Sequence, residues 1–164
     1  MSFEAVVSPG RGVASHQLAR VSNIVDHLLG DSPVPGTLNL LLSQPVELSL
    51  DRMVVSMDGN HFAWKATLNG RPCLAYRWRA CPLHVLEIVS DRHLRNEHGL
   101  TDGDKVRVEL AADTISPLSF SRRLAWQIVW RFRERLFYTS NRYVKLTKWL
   151  WFLRKMSLQR IPKH

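Results

Sequence analysis

The chain has 164 residues, 45% of them hydrophobic, with a formal net charge of +9 and two cysteines. That length carries one domain with a real core plus an appendage, and the apolar fraction excludes an intrinsically disordered chain. No apolar run approaches the roughly 20 residues a membrane-spanning helix needs, and residues 1–12 lack the apolar core of a signal peptide. Cys73 and Cys81 lie eight positions apart with no histidines at zinc-like spacing, so reduced thiols and a cytoplasmic setting are expected. The charge is unevenly placed. Residues 117–164 hold 12 Lys and Arg against one acid, Glu134, whereas residues 1–116 hold 11 against 13 acids. The chain therefore divides into a near-neutral unit over 1–116 and a basic extension over 117–164.

Phe3 to Val7 is an apolar run that predicts a first strand, ended by Ser8-Pro9-Gly10-Arg11-Gly12, a turn no regular element could hold. Two glycines flanking one residue let a backbone approach a ligand and present its N–H groups. From His16 to Leu29, Leu18, Val21, Val25 and Leu28 recur at helical spacing, and Gly30 closes that helix.

Pro35-Gly36-Thr37-Leu38-Asn39-Leu40 follows, a Pro-Gly turn running straight into an apolar strand. Side chains alternate across a strand, so Thr37 and Asn39 share one face while Leu38 and Leu40 point into a core. Two neutral oxygen donors side by side can share a hard cation or hydrogen-bond a phosphate. The same pattern also suits an edge strand with one polar face.

Beyond this point short strands dominate: Leu40 to Leu42, Met53 to Met57, Phe62 to Leu68, Cys73 to Trp78, Val85 to Val89 and Lys105 to Leu110. Asp58-Gly59-Asn60 and Asn69-Gly70 are the strongest turns between them, Asn-Gly being a preferred two-residue hairpin turn. Asp91 to Gly99 predicts one or two helical turns, capped by Ser90 or Asp91 and stopped by Gly99. Arg95 can pair with Asp91 at i, i+4, and Asp102 and Asp104 suit a turn before the last strand. Many short strands with two short helices predict a mainly β fold, a small barrel.

After Pro117 the character changes. Phe120, Leu124, Ile128, Phe132 and Leu136 recur every four residues along one helical face, and four of the six tryptophans lie in this tail. A second segment, Asn141 to Leu158, mixes leucines with Trp149, Trp151 and several lysines and arginines. Such a basic amphipathic helical extension has three uses: a peripheral seat on an anionic membrane surface, nucleic-acid binding, or docking on its own barrel.

Taken in order, Gly10-Arg11-Gly12, the helix, Pro35 to Leu40, Leu86-Glu87-Ile88-Val89, His93-Leu94-Arg95 and Leu100 to Val106 form a series that resembles the archaeal CTP-dependent riboflavin kinases over roughly residues 4–112. The resemblance implies a six-stranded cradle-loop β-barrel that transfers the γ-phosphoryl group of CTP to the ribityl hydroxyl of riboflavin, forming FMN. It implies that Pro9, Gly10, Arg11, Gly12, Val13 and Ala14 wrap the nucleotide phosphates. It places Mg²⁺ on Thr37 and Asn39, the ribityl chain at Glu87, and the cytidine nucleotide at His93, Leu94, Arg95 and Asn96.

Glu87 could orient or deprotonate the attacking hydroxyl. Two departures stand out. The family tends to carry an aromatic residue after the Gly-x-Gly, where this chain has Val13-Ala14-Ser15. The family also places a hydroxyl residue in the strand before the glutamate, and Arg77 to Cys81 contains none. Another alcohol as acceptor, near a membrane, and a non-catalytic barrel binding nucleic acid through its tail stay open as alternatives.

Overall fold

The computed structural model describes residues 1–10, 22–57, 59–79 and 81–129. Its centre is a closed antiparallel barrel of six strands. These are β1 (Ser2–Ser8), β2 (Leu38–Leu42), β5 (His61–Leu68), β6 (Arg71–Trp78), β7 (Val85–Val89) and β8 (Lys105–Leu110). The order β5-β6-β7-β2-β1-β8 closes where β8 returns to β5, with Leu68 opposite Val108. A short strand β4 (Val55–Met57) pairs with the first half of β5, and β3 (Glu47–Leu48) pairs with β9 (Ile115–Ser116) beside the barrel. The two-residue strands β3 and β9 carry no periodic signal and were not legible in the sequence.

Period-2 alternation decides what faces inward. In β8, Val106, Val108 and Leu110 are buried while Lys105, Arg107 and Glu109 are exposed. The interior core unites those residues with Phe3, Ala5 and Val7 of β1, Leu38, Leu40 and Leu42 of β2, and Leu86 and Ile88 of β7. Cys73 is buried in this core, and burial pushes its thiol up to about 12. The β5–β6 hairpin turns on Asn69 and Gly70, whose φ values of 49° and 83° are the left-handed pair that a tight two-residue turn requires.

β7 is buried on both faces. Its inner face meets the barrel core, and its outer face is covered by helix α1 (Ser22–Leu29). There Val25 packs with Val55, Ala63, Leu74, Tyr76 and Val89 in a second apolar cluster. The proposed earlier part of that helix, from His16, lies outside the described residues, as does Asp58 of the turn between β4 and β5.

Two features differ from expectation. β2 is an interior strand between β1 and β7, not an edge strand, so both rows of its backbone groups are paired. The helix after β7 is a single turn, α2 (Leu94–Glu97), within the one or two turns expected, but it starts three residues later than Asp91, with His93 at its cap position instead of Ser90 or Asp91. The Ser90 hydroxyl accepts a hydrogen bond from the Arg92 N–H, holding residues 90–92 in a turn. Gly99, at φ +59°, ends α2 as expected.

At one end of the barrel Arg77 is buried and donates to three carbonyls, those of Val85, Val46 and Leu83, at 2.7, 2.6 and 2.9 Å. Helix α3 (Phe120–Val129) touches the barrel near this end. Trp126 Nε1 donates to His84 Nδ1 at 3.1 Å, and Arg122 forms an ion pair with Glu47. The row Phe120, Leu124 and Ile128 is exposed instead of docked. The continuation of that row at Phe132 and Leu136, and the segment Asn141 to Leu158, lie outside the described residues. Among the described residues no helix is long and apolar enough to cross a membrane.

Candidate active site

A Pro-Gly turn delivers the chain into β2, with Gly36 at φ +108°, a backbone state that a side chain would strain. Thr37 therefore emerges one residue before the strand, and Asn39 two residues later on the same outward face. Leu38 and Leu40 point inward and are buried, as the alternation requires.

The neighbouring strands set a polar row beside these residues. Asn39 stands opposite Ser8 of β1 on one side and opposite Glu87 of β7 on the other. Glu87 in turn stands opposite Tyr76 of β6. Side chains of directly opposed residues share a face, so Ser8, Asn39, Glu87 and Tyr76 line up across four strands. All four are nearly inaccessible, at 2%, 5%, 6% and 2% exposure. Thr37 joins the row through its hydroxyl, which donates to Glu87 Oε2 at 2.7 Å.

This geometry suits a hard cation. Thr37 Oγ1 spends its proton on Glu87, leaving its lone pairs available, and the carbonyl of Asn39 is a second neutral oxygen. Among the described residues no group of three or more His, Cys, Asp or Glu side chains could hold a metal ion, so a cation here would rely on neutral oxygens and a ligand's own phosphates.

Thr37 also fronts a cleft of about 200 Å³ whose walls include Pro35, Gly36, Ser90, His93 and Arg95. Leu94 reaches the same cleft, but its side chain belongs to the barrel core, so only its backbone is available to a ligand. Asn96 faces an adjoining cleft with Arg71, Arg92, His93 and Glu97.

Arg95 does not pair with Asp91. Its Nη2 donates to Asp102 Oδ1 at 2.7 Å and to the Ser8 carbonyl at 3.1 Å, tying α2 to the end of β1 where the Pro9-Gly10 loop begins. Asp91 faces Arg71 instead, at 3.6 Å. Asp104 accepts from both the backbone N–H and the hydroxyl of Thr101, at 2.6 and 2.9 Å. Those bonds hold its carboxyl below the usual range and mark it as a turn former.

The expected site residues thus gather from three directions. Thr37, Asn39 and Glu87 share one outward face, and His93, Leu94 and Arg95 share a cleft with Thr37. Pro9 and Gly10 follow Ser8 directly, and Arg11, Gly12, Val13 and Ala14 lie outside the described residues. Ser8 and Tyr76 were missed in the sequence. Tyr76 sits one position before Arg77 to Cys81, and only the β6–β7 register sets it opposite Glu87.

The family model of the CTP-dependent riboflavin kinases, described as domain of unknown function DUF120, matches residues 7–110, more than half of the chain. The chain belongs to this family. The matched segment runs from the end of β1 to the last residue of β8 and so contains every residue of the site just described. Among curated proteins, a riboflavin kinase from Thermoplasma volcanium is 32% identical over 124 residues, covering 65% of this chain and 56% of the relative. A riboflavin kinase from Thermoplasma acidophilum is 31% identical over 121 residues, covering 63% and 54%. The chain thus spans about half the length of the curated relatives it matches.

Proposed function

We propose that this chain is a CTP-dependent riboflavin kinase, transferring the γ-phosphoryl group of CTP to the ribityl hydroxyl of riboflavin to give FMN. The observation that carries the reading is the Thr37–Glu87 hydrogen bond with Asn39 in register beside it, inside a barrel of this family. Phosphoryl transfer asks a protein for positioning and charge neutralisation more than for covalent chemistry, and this arrangement supplies both.

Glu87 is the one carboxylate in the polar row. One of its oxygens holds the Thr37 hydroxyl, and the carboxylate orients the acceptor hydroxyl and takes its proton as the new P–O bond forms. Thr37 and Asn39 hold Mg²⁺, which when bound offsets the charge of the triphosphate. The loop from Pro9 to Ala14 offers its backbone N–H groups to the phosphates. His93, Arg95 and Asn96, with the backbone at Leu94, receive the rest of the nucleotide. Burial of Asn39 and Glu87 keeps bulk water from competing with the acceptor. The kinase unit in this reading is residues 1–116, and the basic extension over 117–164 lies outside the chemistry.

The test is calorimetric titration of CTP, with ATP beside it, with and without Mg²⁺, followed by FMN formation from riboflavin. Selective Mg²⁺-dependent CTP binding and FMN production are expected. Both should be lost in the folded double variant Thr37→Ala/Asn39→Ala. Absence of CTP binding in the unaltered chain overturns the reading; CTP binding without FMN production overturns riboflavin as the acceptor.

A further inference from the structure

We propose that the hydroxyl of Ser8 is a further ligand-binding group of this site, donating a hydrogen bond to a phosphate oxygen of the bound nucleotide. Resting on the kinase reading above, this extends the phosphate site one residue back from the loop, into strand β1.

Ser8 is 2% exposed, and among the described residues its buried Oγ has no hydrogen-bond partner. Buried hydroxyls are almost always paired, because leaving one unmet forfeits the bonds it made to water. An orphan in a folded protein therefore calls for an account. Here the surroundings supply one. Ser8 stands directly opposite Asn39 in the β1–β2 register, so its side chain emerges on the face shared by Asn39 and Glu87, with Thr37 bonded to Glu87. It is also the last residue of β1, immediately before Pro9 and Gly10.

The backbone of Ser8 is fixed. Its carbonyl accepts from Arg95 Nη2 at 3.1 Å, and the preceding residue, Val7, exchanges hydrogen bonds with Gly103 and Asp104 at 2.9 and 2.8 Å. The hydroxyl is held in place by bonds that do not use it. A group pinned this way costs little further ordering when a ligand arrives, so its hydrogen bond strengthens binding with little entropic loss. The hydroxyl's proton is unspent, so an acceptor is the partner that completes it. A phosphate oxygen beside a cation held by Thr37 and Asn39 meets that need.

The test compares Ser8→Ala with the unaltered chain in two measurements: CTP affinity by calorimetry in Mg²⁺, and the melting temperature without ligand. The variant should bind CTP at least tenfold more weakly while melting at the same temperature or higher, because it removes an unmet polar group. CTP affinity within twofold of the unaltered chain overturns the proposal. So does a fall of several degrees in the ligand-free melting temperature, whatever the affinity, since that would reveal a partner within the protein. Failure of the unaltered chain to bind CTP would instead overturn the kinase reading, and this proposal with it.

Discussion

The Thr37 hydroxyl donates to Glu87 Oε2 at 2.7 Å, joining residues 50 positions apart. The bond exists because β2 and β7 pair antiparallel with Asn39 opposite Glu87, which brings the turn before β2 to the outer face of β7. It couples the group proposed to hold the cation to the group proposed to handle the acceptor's proton. A change at either residue that breaks the bond therefore acts on both halves of the site.

Replacing Glu87 with Gln keeps an acceptor for Thr37 and removes the base. The kcat for FMN formation should fall by about 10²–10⁴, with KM for CTP changed little. Steady-state kinetics at saturating riboflavin decide it, and a kcat within a few-fold of the parent would remove Glu87 from the chemistry.

Arg95 links α2 to the Ser8 carbonyl and to Asp102. Arg95→Ala should weaken CTP binding by roughly tenfold, the loss of one or two charge-assisted bonds that order the cleft. Because the Asp102 pair is about half-exposed on the Asp102 side, Asp102→Asn should cost little, within the ~1 kcal/mol of a surface pair. Equal effects of the two changes on CTP affinity would show that the ion pair, not the tie to Ser8, is what matters.

Arg77 seals the end of the barrel opposite three carbonyls. Burial lowers its pKa, but a guanidinium stays charged in proteins, and its three bonds offset the loss of water. Arg77→Met keeps the unbranched apolar stem but removes all three charged donors, although Leu83 O still accepts from Val46 N–H and Val85 O from the Cys81 thiol, so unfolding should become easier by roughly 3 kcal/mol. Urea denaturation measures this. A loss below about 1 kcal/mol would mean that water replaces the guanidinium there.

His84 is held neutral, its pKa lowered to about 4 by burial first and then by the nearby Arg77 charge. A histidine whose folded pKa lies below its unfolded value contributes stability that is complete above the unfolded value of about 6.5. That stability drains away as pH falls toward 4, because the unfolded chain binds the proton first. Protonation at Nδ1 would also remove the acceptor for Trp126 Nε1, loosening α3 from the barrel. The melting temperature of the parent should fall more steeply between pH 6.5 and 4 than that of His84→Gln. Parallel curves would show that carboxylates alone cause the acid loss.

Much of the fold was legible because its signals are local. The strands expected at Val85 to Val89 and Lys105 to Leu110 formed with those same bounds, and the Asn69-Gly70 turn formed the expected hairpin. These depend on side-chain alternation and on left-handed turn residues, which a reader can see within a few positions. The order of the Gly-x-Gly, Thr-Leu-Asn and Leu-Arg pieces carried the family as well, since their sequence along the chain survives without knowing the pairing.

What depends on distant neighbours is not fixed by local pattern. Helical spacing allows Arg95 to pair with Asp91 four residues away, yet the loop carrying Asp102 and the end of β1 offer better-placed oxygens. Phe120, Leu124 and Ile128 form the apolar row of α3, yet the helix touches the barrel through Trp126 and Arg122. A periodic face shows that a helix is amphipathic, not which neighbour it meets.

By itself, the sequence determined the six barrel strands, the hairpin turn, the two faces of Thr37-Leu38-Asn39-Leu40 and the family. Only the tertiary structure decided that Ser8, Asn39, Glu87 and Tyr76 stand in one row. Barrel closure sets β1, β2, β7 and β6 side by side in a single register, and a slip of one residue on any strand would turn its member of the row to the opposite face.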